Sequence, residues 1–247
     1  MEDQRISGLR QRPVKLHFSK QHFEDFIMHV KLISYTQPVF DLEQEGIKTP
    51  IDLVAYCARV SNPANQHNVD TSEKLLKYLI KHKHWSPLEM IDITVEIETT
   101  RAIGRQILRH RSFSFQEFSQ RYAIADLGFE HHEARLQDAK NRQNSLDTDD
   151  EYLKTEWNNR QIQVMNIARA NYAWAIEMGI AKEQARDVLP EGMTLSRFYM
   201  KGSLRSWIHY IQLRTSEGTQ KEHREVAKEA QKIIASVIPN IFDITKE

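Results

Sequence analysis

The 247 residues carry 34 Lys and Arg against 34 Asp and Glu, so the formal net charge is zero, and 40% are hydrophobic. Such a chain can bury a sizeable core, is not disordered by composition, and has no overall electrostatic bias towards nucleic acid or an acidic membrane. The single cysteine, Cys57, excludes an internal disulfide framework and suits a reducing, cytoplasmic compartment, and no apolar run approaches the ~20 residues that span a bilayer.

Residues 1–28 are polar and weakly periodic, lack the apolar segment of a secretory signal, and read as an N-terminal extension ahead of one domain, 29–247. Met28 is a possible alternative start. Beyond it Val30 and Leu32 alternate with polar residues, like a first strand. Thr49, Pro50 and Asp52 have the order of a helix N-cap, first position and first turn, with Leu53, Val54, Cys57 and Ala58 on one side and Asn62-Pro63 as the stop. Asp70 and Glu73 suit a capping pair for the next helix, whose buried stripe is Leu75, Leu76, Leu79 and Ile80. A loop at 82–89 leads to a half-buried strand at 91–98, where Ile91, Ile93, Val95 and Ile97 alternate with polar residues. A helix over 100–110 follows. The polar stretch 126–150 reads as a surface excursion. Helices are expected over 152–178, 182–189 and 194–213, and a last one from Thr219, with Glu222 completing a capping box, to just before Pro239. The fold class is α+β: a small, mostly antiparallel sheet packed with helices, and a helix-rich second half.

The neutral total hides a local imbalance. Between Arg101 and Tyr122 stand Arg101, Arg105, Arg109, Arg111 and Arg121 against one acid, Glu117. On a continuous helix Arg101, Arg105 and Arg109 would share a face. Arginine offers a rigid fork of donors that grips phosphate and stays charged throughout a reaction. Ser114, Gln116, Ser119 and Gln120 add neutral groups suited to a base or ribose. A merely solvated face would interleave acids. The eight glycines include no GxGxxG or GxxxxGK[ST] pattern, so a bound nucleotide must be held by side chains and helix ends.

Arg109-His110-Arg111, seven further residues, Ser119 and then Arg121-Tyr122 resemble the signature of the flavin-dependent thymidylate synthases. Four other blocks follow that family's order: Ala58-Arg59-Val60-Ser61, His84-Trp85-Ser86-Pro87-Leu88-Glu89, Ala185-Arg186-Asp187-Val188-Leu189-Pro190, and Leu204-Arg205 through Leu213-Arg214. Together they cover roughly residues 30–240. The resemblance implies reductive methylation of dUMP at C5, with methylenetetrahydrofolate as carbon donor, tetrahydrofolate released, and a hydride from FAD that NADPH has reduced. It also implies a homotetramer whose active sites are shared between subunits. Position by position, the resemblance places Gln106, Arg109, Glu117, Ser119, Gln120, Arg121, Arg186 and Arg214 at dUMP. It places Ser61, His84, Ser86, Glu89, Arg109, His110, Arg111, Ser203 and His209 at FAD. The family often has Asn where Ser203 and His209 stand, and commonly His where Met90 stands. Arg214 matches an arginine beside the pyrimidine, where a fixed cation stabilises negative charge developing on the uracil; it is the expected electrostatic catalyst. No local feature supplies Ser119 with a base, so a binding hydroxyl is expected in preference to a nucleophile.

Other readings were weighed against this one. Cys57, on an apolar helix face, reads as a small core residue without a device for lowering its pKa. His82-x-His84 and His131-His132-Glu133 lack the spacing of a zinc site, so no metal is expected, and these His131 and His132 side chains are expected at the surface. A nucleic-acid module would use the arginines and Phe113, Phe115 and Phe118, but the zero net charge and the acidic run at 147–151 oppose it. Neither nucleic acid nor membrane is an expected partner.

Overall fold

The computed structural model describes residues 28–244; of the expected N-terminal extension, all but Met28 lies outside the described residues. Strand β1 (His29–Tyr35) lies at one edge of a four-stranded antiparallel sheet. The sheet continues through β2 (Asp92–Thr100) and β6 (Leu195–Ser203) to β3 (Ser114–Glu117), in the order β1-β2-β6-β3. Nine in-register pairs join β2 to β6, from Asp92 opposite Ser203 to Thr100 opposite Leu195. Alternation puts Ile93, Val95 and Ile97 of β2, with Phe198 and Met200 of β6, completely inside. The other face is polar, with Arg197 paired to Glu98 and Lys201 Nζ 2.8 Å from Asp92.

Helices cover the apolar face. A short α1 (Phe40–Gln44) precedes α2 (Pro50–Ala58), which starts in the expected capping box: Asp52 N donates to Thr49 Oγ1 and Thr49 N to Asp52 Oδ2, each at 3.1 Å. Helix α3 (Ser72–Lys81) buries Leu76 and Leu79, a 3-10 turn spans Ser86–Met90, and α4 (Arg101–Ile107) follows β2 directly. The hairpin β4 (Arg135–Gln137) and β5 (Ser145–Asp147) lies within the polar excursion. Then come α5 (Glu151–Glu177), α6 (Lys182–Ala185) and, after β6, α7 (Leu204–Arg214), α8 (Lys221–Val237) and α9 (Ile241–Ile244). Gly179, at φ +78°, ends the long α5 as a left-handed residue. Among the described residues no helix is long and apolar enough to cross a membrane.

The α+β class holds, with four corrections in detail. The stretch 194–213 is a strand and then a helix. Arg197, Tyr199 and Lys201 point out while Ser196, Phe198, Met200 and Gly202 point in, a period of two that ends where Ser203 caps α7. Asp70 does not cap α3; Thr71 stands at the N-cap, without a side-chain bond. The capping box at Thr219 and Glu222 does not form: Thr219 Oγ1 donates to Leu213 O, Glu222 accepts from Arg135, and α8 begins behind Gln220. The helix expected over 100–110 stops at Ile107, so Arg109 leaves the face shared by Arg101 and Arg105. The short helices α1 and α9 lack the periodicity that would mark them in sequence.

Phe113 packs edge-on to Trp207 with ring centroids 4.8 Å apart, and Gly202 makes that position possible. A Cβ on Gly202 would stand less than 3.0 Å from both Cδ1 and Cε1 of Phe113, too close for any real contact. Gly202→Ala is therefore expected to destabilise the fold by about 1–3 kcal/mol, the usual cost of overpacking. Chemical denaturation checks this; a wild-type midpoint would show that Phe113 moves freely.

Candidate active site

The arginine-rich stretch begins in a capped helix. Thr100 Oγ1 accepts from Ile103 N at the start of α4, and the chain then turns tightly, with His110 N donating to Ile107 O at 3.0 Å and Phe113 N to His110 O at 3.2 Å. This turn aims the His110 ring inward, 4.9 Å edge-on from Tyr210. Arg214, at the C-terminal end of α7, donates from Nε to His110 Nε2 at 2.9 Å. A guanidinium has no acceptor, so His110 Nε2 must present its lone pair, and the imidazole is neutral with its proton on Nδ1. Burial, then the charges of Arg214 and Arg109, push the His110 pKa down to about 4.

A second imidazole lies beneath the first. His223 on α8 is completely buried, with Nε2 3.1 Å from the Tyr210 hydroxyl and Nδ1 3.4 Å from Gln106 Oε1. Burial, and then Arg214, His110 and Arg109, lower its pKa to about 3. Burial raises that of Tyr210, which is 1% exposed, so its hydroxyl stays protonated. Sequence reasoning missed His223 and Tyr210. The available signal was a histidine on the otherwise apolar stripe of α8, with Val226, Ala227, Ala230 and Ile234.

Tertiary structure divides the arginines into two groups. Arg101 and Arg105 both pair with Glu191, Arg101 also stands 3.6 Å from Glu117, and Arg121 is 2.9 Å from Glu183. Glu117 is further held by Ser196 Oγ at 3.0 Å. Among the described residues Arg109, Arg111, Arg186 and Arg214 have no carboxylate partner. Gln120 is buried with an unpartnered Nε2, whereas Ser119 is exposed, its carbonyl accepting from Tyr122 and Ala123 in a tight turn. No base stands within hydrogen-bond reach of the Ser119 hydroxyl among the described residues.

The residues assigned to FAD form a second group. His84, Ser86 and Glu89 are exposed around the Ser86–Met90 turn. This turn is clamped to α7 by Arg205 donating to Glu89 at 2.9 Å and by Trp85 standing edge-on to His209 at 4.5 Å. Burial, then Arg205, lower the His209 pKa, against the opposing charge of Glu89. Ser203 is committed to the start of α7, its Oγ accepting from Ser206 N at 3.3 Å. Ser61 is exposed just beyond α2. Thus α7 carries Ser203, His209 and Arg214 along one rigid element. Two cavities lie apart from these groups: one beside α5 between Phe129, Arg169 and Tyr172, and another between α3 and α9.

Cys57 is half-buried and its thiol pKa is raised by burial, the environment of an inert thiol. His131 and His132 are partly buried, not fully at the surface: His131 Nδ1 bonds Asn158 Oδ1 at 2.6 Å, and His132 Nε2 bonds Gly192 O at 2.8 Å.

Comparison with known proteins places this geometry in context. Residues 42–240 match the family model described as thymidylate synthase complementing protein. A flavin-dependent thymidylate synthase of Synechocystis is 52% identical over 214 residues, covering 87% of this chain and 97% of the relative. A probable flavin-dependent thymidylate synthase of Paramecium bursaria Chlorella virus 1 is 51% identical over the same length and shares. The crystal structure of a UMP/dUMP methylase, PolB, from Streptomyces cacaoi superposes with a TM-score of 0.72 at 24% identity, covering 85% of this chain and 91% of that one, and supports the fold.

The two depressed histidines predict a pH dependence. Unfolded imidazoles take up protons near pH 6.5, whereas native His110 and His223 resist until about 4 and 3. Their contribution to stability is full above pH 6.5 and falls as the pH drops towards 4, because unfolding there binds protons. Denaturant titrations from pH 7 to 4.5 should show this loss, with a slope shallower by about one proton in His223→Leu. Equal slopes would mean that native His223 takes up its proton over the same pH range as the unfolded residue.

Proposed function

The chain belongs to the flavin-dependent thymidylate synthase family, and we propose that its methylation of dUMP to dTMP takes the methylene group of methylenetetrahydrofolate and releases tetrahydrofolate. FAD, reduced by NADPH, supplies when bound the hydride that completes the methyl group. The observation that carries this reading is Arg214, a cation tethered by a neutral imidazole and not by a carboxylate. A carboxylate would cancel much of its field, whereas His110 orients the guanidinium and leaves the charge intact. Next to the uracil that charge stabilises the anion that forms as N3 ionises or C5 becomes nucleophilic.

The phosphate of dUMP falls to Arg109, Arg121 and Arg186. Arg109 and Arg186 are free of internal acids, and Arg121 must exchange Glu183 for the phosphate. An exposed pair of this kind is worth at most about 1 kcal/mol, so a dianion displaces it readily. Gln106, Glu117, Ser119 and Gln120 complete the substrate set, and the orphaned Nε2 of buried Gln120 is a donor lacking an acceptor until a ligand provides one. Ser119 binds substrate in this reading.

The donor set suits FAD. Arg109 and Arg111 are exposed cations without acidic partners and suit a pyrophosphate in a chain without a glycine-rich cradle. His84, Ser86, Glu89, His110 and Ser61 supply hydrogen-bonding groups, His209 offers a ring nitrogen to the flavin in this reading, and Ser203 has its hydroxyl engaged at the helix cap. That these groups line open surface supports active sites shared between the chains of a homotetramer. Trp157, Val164, Ile167 and Trp174 of α5 and Met178 at its C-cap add to that support: they recur at helical spacing and are 43% to 63% exposed.

Tritium release from [5-³H]dUMP tests the chemistry; it should require FAD, methylenetetrahydrofolate and a reductant. Arg214→Ala should keep its flavin yet lose at least about a hundredfold in turnover, the scale of one electrostatic group. Near-normal turnover at saturating substrates would remove Arg214 from this role. Light scattering tests the assembly: the wild type should have the mass of four chains, and the double variant Ile167→Glu, Trp174→Glu a smaller one, with activity lost in parallel. An unchanged mass would move the interface away from α5.

A further inference from the structure

A polar chain runs through the exposed Gln220 inwards to buried His223, and apart from Gln106 the mechanism above does not use it. It begins at Arg135, which pairs with Glu222 and so fixes that carboxylate. Glu222 Oε2 only accepts, so the group facing it at 2.9 Å is the Gln220 amide nitrogen. Gln220 must then turn its carbonyl to Gln106, whose Nε2 donates to it at 2.7 Å. Gln106 in turn presents Oε1 to His223 Nδ1, which therefore carries the proton, and His223 Nε2 accepts from the Tyr210 hydroxyl. Every amide and ring in the series has one orientation, set by an ion pair at one end and a buried phenol at the other. An imidazole with no solvent exposure is costly at an apolar helix position unless both nitrogens are satisfied, and here both are.

We propose that His223 is a positioning residue for dUMP binding: with Tyr210 it locks the Gln106 carboxamide so that the second Nε2–H is the donor offered to an oxygen of the nucleotide. Without the Nδ1–H, one of the two bonds that orient Gln106 is lost, and only the solvent-exposed Gln220 amide still opposes a half-turn that would meet the same oxygen with the Gln106 carbonyl, which repels it. The inference rests on the assignment of Gln106 to dUMP.

The experiment measures dUMP affinity by titration calorimetry, alongside KM and kcat, in the full-length flavin-loaded protein. His223→Leu should weaken dUMP binding and raise its KM about tenfold, with kcat at saturation within about twofold. Tyr210→Phe removes only the O–H that holds the ring tautomer and should raise KM several-fold, which keeps the test open where the leucine variant folds poorly. His223→Asn, with an amide N–H close to the place of Nδ1–H, should restore most of the affinity. Gln106→Ala should weaken binding as much as His223→Leu, and the double variant no further. A role confined to stability would lower the melting temperature, leave dUMP affinity unchanged and show no rescue by Asn; that outcome overturns the proposal. Weak binding in Gln106→Ala with wild-type binding in both His223→Leu and Tyr210→Phe also overturns it while sparing the functional reading. Wild-type binding in Gln106→Ala would remove Gln106 from the substrate site and the inference with it, and absence of dUMP binding by the wild type would overturn the functional reading itself.

Discussion

The nine-pair antiparallel ladder between β2 and β6 is the constraint on which the rest of the molecule depends, because each strand runs without a linker into a helix that carries the site. Thr100 and Ser203, the last residues of the two strands, are also the N-caps of α4 and α7. Pairing in opposite directions places the two junctions at opposite ends of the sheet, and a slip of one residue would turn both caps and every core side chain to the wrong face. The helices are held as tightly as the strands. Gly104 of α4 lies against the Phe198 ring, and Trp207 of α7 donates to Ile93 O at 3.0 Å. From this frame α7 delivers Arg214 to the turn that holds His110.

Within that frame, electrostatics divides equivalent residue types by their partners. Glu191 and Glu183, distant in sequence from the arginines, neutralise Arg101, Arg105 and Arg121 at the surface. Arg109, Arg111, Arg186 and Arg214 have no carboxylate partner among the described residues, and the neutral imidazole of His110 accepts from Arg214 with His223 nearby. A low-pKa imidazole is a suitable neighbour for a working cation: it supplies an acceptor for orientation without a counter-charge. The arrangement leaves a protein of zero net charge with arginines that no carboxylate neutralises among the described residues.

Much of the architecture was legible in the sequence where a single element carries its own instructions. Thr49-Pro50-x-Asp52 folds into the capping box it spells, and the Ile93, Val95, Ile97 alternation becomes the central strand. The stretch 194–213 was harder because a strand with a period of two passes into a helix with a period of 3.6 without a turn residue between them. The capping signal at Thr219 and Glu222 failed for another reason. Short polar side chains have competing partners, and tertiary neighbours such as Arg135, which takes Glu222, win.

The sequence by itself determined the family, through blocks such as Arg109-His110-Arg111 to Arg121-Tyr122 and Leu204 to Arg214, and with it the flavin-dependent methylation of dUMP. It also set aside the common glycine-rich phosphate cradles, since neither GxGxxG nor GxxxxGK[ST] occurs. Only the tertiary structure decided which arginines remain unpaired, that His110 is the neutral tether of Arg214, and that His223 and Tyr210 stand behind Gln106. The physical reason is range. Caps, periodicity and motif spacing act within a few residues, whereas charge pairing, burial and ring tautomers are set by groups a hundred residues away along the chain, brought close only by the sheet register.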